Sequence, residues 1–174
     1  MKKIITIVIT GTVLISCKQK GDFTKYTHDP FLFSKTVKAL NNVVLENNFP
    51  PMIASRNYAY ASIAAYEVIA SGDATYQSLA GQIKHLPALP AADTSNVDFP
   101  FAALLAFCKV GETVTFPEGS MSSYVALLKK RADSAGMNSE TMQASQKFAD
   151  HVAGHILKWS KGDNYGQTPS APKF

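Results

Sequence analysis

Arginine is scarce in this 174-residue chain, which contains only Arg56 and Arg131. The lysines are interspersed with the acidic residues instead of clustering with aromatic ones, so a nucleic-acid surface is not expected. Cysteine is as scarce, with Cys17 and Cys108 the only two. No segment alternates apolar and polar residues for more than a few positions, which argues against a sheet. There is no internal repeat, no Gly-x-Ser-x-Gly and no glycine-rich phosphate loop. Asp133, Glu140, Asp150 and Asp163 are scattered and form no carboxylate pair for acid/base chemistry.

The apolar run at the amino end is also too short for a membrane span. Lys2 and Lys3 precede Ile4 to Ile15, which has the length of a signal h-region, whereas a helix must cross about 30 Å of hydrocarbon. The run closes on Leu14-Ile15-Ser16-Cys17, which resembles a bacterial lipobox. The expectation is a signal peptide over 1–16, lipidation at Cys17 and a membrane contact made through acyl groups. Lys18 stands where an inner-membrane retention signal places aspartate, so an outer-membrane lipoprotein of the cell envelope, facing the periplasm, is expected. Lipidation would consume Cys17 and leave Cys108 without a disulfide partner; in the apolar run Phe101–Phe107, Cys108 reads as a small buried thiol. The formal charge of +4 falls to +2 once Lys2 and Lys3 are removed, so the basicity belongs partly to the leader.

What remains suits one helical domain. Residues 17–29 are polar and read as a tether, with a helical domain over 30–174. Phe33, Val37, Leu40, Val43 and Val44 give one face of a helix over 31–46. Phe49-Pro50-Pro51 breaks the chain, and Pro51 suits the first turn of a helix reaching Ala70. That helix is dense in small residues and tyrosine, and reads as central, apolar nearly all round. Arg56 and Glu67 lie three turns apart on it, so each needs a partner elsewhere. A short helix over 74–81, a surface loop over 86–99, a helix over 101–110, a connection over 111–119 and a helix over 120–135 closed by Gly136 follow. Asn138-Ser139-Glu140 then caps a helix with Met142, Ser145, Ala149, Val152, Ile156 and Trp159 on one stripe. The fold class is all-α, a bundle of about five to six helices.

His151 and His155 are the candidate metal ligands: four apart, they share a helix face, with Asp150 adjacent. A metal site needs a third ligand, and the other histidines, His28 and His85, fall in expected loops. The plainer reading is a helix flank.

The order Ala54-Ser55-Arg56-x-Tyr58-Ala59-Tyr60, followed by Ile63-Ala64-Ala65-Tyr66-Glu67, is more distinctive. It resembles an early helix of bacterial vanadium-dependent haloperoxidase-like proteins of the type 2 phosphatidic acid phosphatase superfamily; the lipobox and Trp159-Ser-Lys-Gly-Asp163-Asn-Tyr165 agree with that likeness. The family's chemistry rests on three motifs: lysine followed after six residues by Arg-Pro, then Pro-Ser-Gly-His, then Ser-Arg followed after five residues by histidine. Cations neutralise vanadate or a phosphoryl group, serine and glycine donate to it, and histidines attack, ligate or move protons. This chain has no Arg-Pro; its only Ser-Gly, Ser71-Gly72, precedes Asp73; Ser55-Arg56 is followed after five residues by Ser62.

The resemblance therefore implies an N-terminal, non-catalytic part of a larger all-α domain. The catalytic helices, and any vanadate, would belong to a C-terminal region following Ser170-Ala-Pro-Lys-Phe174. That region, or another helical surface, would cover the Pro51–Ala70 helix. No catalytic residue and no cofactor is assigned to this chain. The alternatives are a stand-alone helical lipoprotein that binds a partner or ligand, and a metal-dependent enzyme using His151 and His155.

Overall fold

The computed structural model describes residues 21–162, and within them the chain is all helical. Six helices follow in order: α1 (Thr24–Thr27), α2 (Pro30–Glu46), α3 (Pro51–Gly72), α4 (Phe99–Val114), α5 (Ser122–Ser134) and α6 (Ser139–Lys161). Expected lipidation at Cys17 and everything beyond Gly162 lie outside the described residues.

The helix at the centre is α4, not α3. Every residue from Phe101 to Cys108 is buried, so this stretch of α4 is covered on all faces, with Lys109 and Thr113 exposed beyond it; α4 packs most extensively on α3, next on α6, and less on α2. An eight-residue run without a polar side chain leaves no face that prefers water, which drives this helix inside. By contrast α3 buries Ile53, Tyr60, Ala61, Ala64 and Val68 and turns Met52, Ser55, Ala59 and Ser62 outward. The expectation of a central α3 is corrected accordingly. Small residues at Ala61, Ala64 and Ala65 do serve close packing, against α4.

Gly111 was the expected break after the helix at 101–110, yet α4 runs through it to Val114. A Cβ at Gly111 would lie 2.9 Å from the Leu40 methyls, so the glycine lets α2 approach and tertiary contact outweighs its poor helix propensity. On α2 the buried stripe is Leu32, Thr36, Leu40, Val43 and Val44, displaced from the expected Phe33 and Val37. Thr36 is tolerated there because its hydroxyl donates to the Leu32 carbonyl and lies 3.0 Å from the Tyr124 hydroxyl. Phe33 is 39% exposed, with its ring edge-on to Phe107.

Two further differences have local causes. The helix expected over 74–81 does not form. Asp73 Oδ1 accepts from the Thr75 N–H, and the buried Glu67 carboxylate takes the Leu79 N–H and the Ser78 hydroxyl, each at 2.7 Å, so side chains satisfy the donors a helix would use. Over residues 21–29, expected as tether, α1 forms instead; Thr27 is buried, and Phe23 and Tyr26 pack on the core. The stripe on α6 matches at Ser145, Ala149, Val152 and Ile156, and Asn138 caps that helix by accepting from Thr141 N–H at 2.8 Å.

Gly136 lies at φ +105, and a Cβ there would stand 2.5 Å from the Gly21 carbonyl oxygen. Gly154, inside α6, has open space where a Cβ would sit. Gly136→Ala is expected to cost about 2 kcal/mol or more in urea unfolding through backbone strain, whereas Gly154→Ala should add roughly 0.5–1 kcal/mol by raising helix propensity.

Candidate functional site

The structure brings the α6 histidines to a loop. His151 Nε2 donates to the Pro90 carbonyl at 2.9 Å and His155 Nε2 to the Pro87 carbonyl at 3.0 Å. One turn further on, Trp159 Nε1 donates to the Lys84 carbonyl at 3.2 Å. The donors are four apart on one helix face, and the acceptors are three apart along residues 84–90. This antiparallel ladder binds residues 84–90 to α6. Because a carbonyl can only accept, Nε2 carries the proton in both histidines, which leaves only Nδ1 for ligation. No group of three or more His, Cys, Asp or Glu able to hold a metal occurs among the described residues.

The fourth histidine has a different partner. His28 Nε2 lies 2.9 Å from Asp98 Oδ2, while Asp98 Oδ1 caps α4 by accepting from Phe101 N–H. A histidine–aspartate pair serves nucleophilic catalysis only when the histidine also meets a hydroxyl or thiol. Two hydroxyls lining the same cavity as His28 are engaged elsewhere: Thr27 donates to the Phe23 carbonyl and Tyr66 to the Gln77 carbonyl. The pair therefore joins the α1–α2 corner to the start of α4. Cys108 is fully buried, and burial pushes its thiol up to about 12, with Glu112 adding to the rise, so it is no nucleophile.

Two concave sites flank the outer ridge of α3. The first, about 650 Å³, is apolar and is framed by α2, α3, α4 and the 76–79 loop, with Phe33, Ile69, Tyr76 and Leu104 on its walls. The second, about 1020 Å³, lies between α3, α6 and the laddered loop, and is lined by Arg56, Tyr60, Lys84, His155, Lys158 and Trp159 among others. Arg56 Nε and Nη2 donate to the Tyr60 hydroxyl at 3.1 and 2.9 Å, and its guanidinium lies over the same ring. Tyr60 in turn meets Trp159 edge-to-face at 5.6 Å.

With this geometry the chain is similar to a solved enzyme. The crystal structure of the first bacterial vanadium-dependent iodoperoxidase superposes with a TM-score of 0.75 at 31% identity, covering 82% of this chain and 34% of that one. The fold is haloperoxidase-like. The chain thus spans about a third of that enzyme's length. No family model matches, and no curated protein matches in sequence.

Vanadate does not fit the residues present. Ser55, which opens the third oxyanion pattern, donates its hydroxyl to the Met52 carbonyl, and Ser62, standing where that pattern needs histidine, is exposed. Arg56 sits on Tyr60, and Arg131 is on α5. Among the described residues the cations are not gathered with serine and glycine donors into one cage. The residues that shape the second cavity were missed from sequence, apart from Arg56 and His155, because they converge only once the 84–90 loop folds back on α6. Asp98-Phe99-Pro100 did carry a readable signal, an N-cap followed by proline in the first helical turn.

His151→Ala/His155→Ala is expected to lose about 1 kcal/mol per hydrogen bond and to expose residues 84–90 to limited proteolysis. Zinc should leave the melting temperature of the unaltered chain unchanged; a concentration-dependent rise would reinstate these histidines as ligands.

Proposed function

We propose that this chain is the non-catalytic N-terminal helical part of a haloperoxidase-like envelope lipoprotein of the type 2 phosphatidic acid phosphatase superfamily. Phosphoryl hydrolysis or halide peroxidation, with any vanadate, belongs to a C-terminal region that packs on the outer ridge of α3. The lipid anchor is at Cys17, and the body sits in the periplasm against the outer membrane.

The observation that carries this reading is the match to about a third of an iodoperoxidase by a chain that contains none of the three oxyanion motifs. The ridge of Met52, Ser55, Ala59 and Ser62 supports it: Met52 is 73% exposed, and the small residues beside it would let a second helix approach closely. Among the described residues no helix is long and apolar enough to cross a membrane, so a lipid at Cys17 is the attachment this reading requires. A second reading, a helical lipoprotein that binds a ligand at the envelope, draws on the two cavities beside α3.

Purified as the 174-residue chain and supplied with vanadate, the protein should hydrolyse p-nitrophenyl phosphate and oxidise iodide with peroxide at background rates. Clear turnover of either substrate would contradict the assignment.

A further inference from the structure

The second cavity has a charge pattern that the likeness to a peroxidase does not account for. Lys84 and Lys158 bring positive charge to its lining, beside Arg56, His85 and His155, and none of its described lining residues is aspartate or glutamate. Concave surfaces of one charge sign backed by low-dielectric protein concentrate their field toward the opening, so such a site attracts anions. Its inner surface is apolar and aromatic. Tyr60, only 3% exposed, and the half-buried Trp159 and Ile63 form one side, and the Ile83–Pro90 segment forms the other.

We propose that this cavity binds an amphipathic organic anion, one anionic headgroup on an apolar body, with Lys84 and Lys158 receiving the headgroup and the Tyr60–Trp159 wall the body. The walls are already in place. The three hydrogen bonds from α6 hold residues 84–90, and the Tyr60–Trp159 contact holds the aromatic side, so little ordering is left for the ligand to induce. Arg56 already bonds Tyr60, and the exposed lysines carry the electrostatic role.

Inorganic oxyanions fit less well. A small ion is held by converging backbone N–H and hydroxyl donors, whereas the cations here are long side chains around a cavity of about 1020 Å³, the size of a drug-like ligand site. Ala59 of the α3 ridge lies at the edge of this cavity, but ligand binding is read on this chain alone, so its failure is distinguishable from failure of the function proposed above.

The chain's single tryptophan, Trp159, lines the cavity and reports on it directly. Octanoate, octan-1-ol and inorganic phosphate are titrated against the full chain while Trp159 emission is followed at low ionic strength. Octanoate should shift the emission saturably and bind roughly tenfold or more tightly than octanol, with affinity falling as salt is added. Lys84→Glu/Lys158→Glu should weaken octanoate by roughly tenfold and leave octanol unchanged; both lysines are exposed, and Lys84→Gln/Lys158→Gln serves if the reversed pair does not fold. Equal binding of octanol and octanoate, an unchanged octanoate affinity in the folded variant, or displacement of octanoate by an equal concentration of phosphate would each overturn the proposal.

Discussion

Asp98 is the point on which the bundle turns. One carboxylate oxygen caps α4 through Phe101 N–H at 2.9 Å, and the other meets His28 at the α1–α2 corner. The Asp98 backbone N–H donates to Ser145 of α6, also at 2.9 Å. Three helical elements are thereby tied to the entry of the helix that α2, α3 and α6 cover. This matters because the first half of α4 is too apolar to choose its own rotation: from Phe101 to Cys108 no residue prefers solvent, and exposed polar side chains come only at Lys109 and Thr113. Polar contacts at its first turn, together with the close approach at Gly111, set the register that hydrophobic burial alone would leave open.

The ladder between α6 and residues 84–90 is the second such device. A proline-rich segment has few backbone donors, but its carbonyls still need partners where they face protein. His151, His155 and Trp159 supply those partners, which gives the histidine pair a structural role at that spacing. The same ladder positions the wall of the basic cavity, so a structural contact of α6 creates the surface on which a ligand can act.

Much of the architecture was legible in the residue order. Helix boundaries were readable at Pro51, at Asn138 and at Gly136, since caps, first-turn prolines and left-handed glycines act locally. The rotation of α2 was not, because Thr36 is buried only when Tyr124, 88 residues away, supplies its hydrogen bond. Nor was the loss of a helix over 74–81, which depends on Glu67 reaching across from α3. The second cavity falls in the same class: Arg56, Lys84 and Lys158 are unremarkable apart in sequence and meet only through tertiary structure. The missing oxyanion motifs, by contrast, were plain from sequence, and the haloperoxidase-like fold gives that lack its meaning.

On the function proposed above, this haloperoxidase-like body, with its outward ridge on α3, is one part of a longer lipoprotein. The intact mass of that lipoprotein, purified from its native host and followed through a peptide spanning residues 58–84, tests this most directly. The account predicts a mass well above the 18.8 kDa of this chain, with the oxyanion motifs in the added length. A mass equal to residues 17–174 plus acyl chains would contradict it.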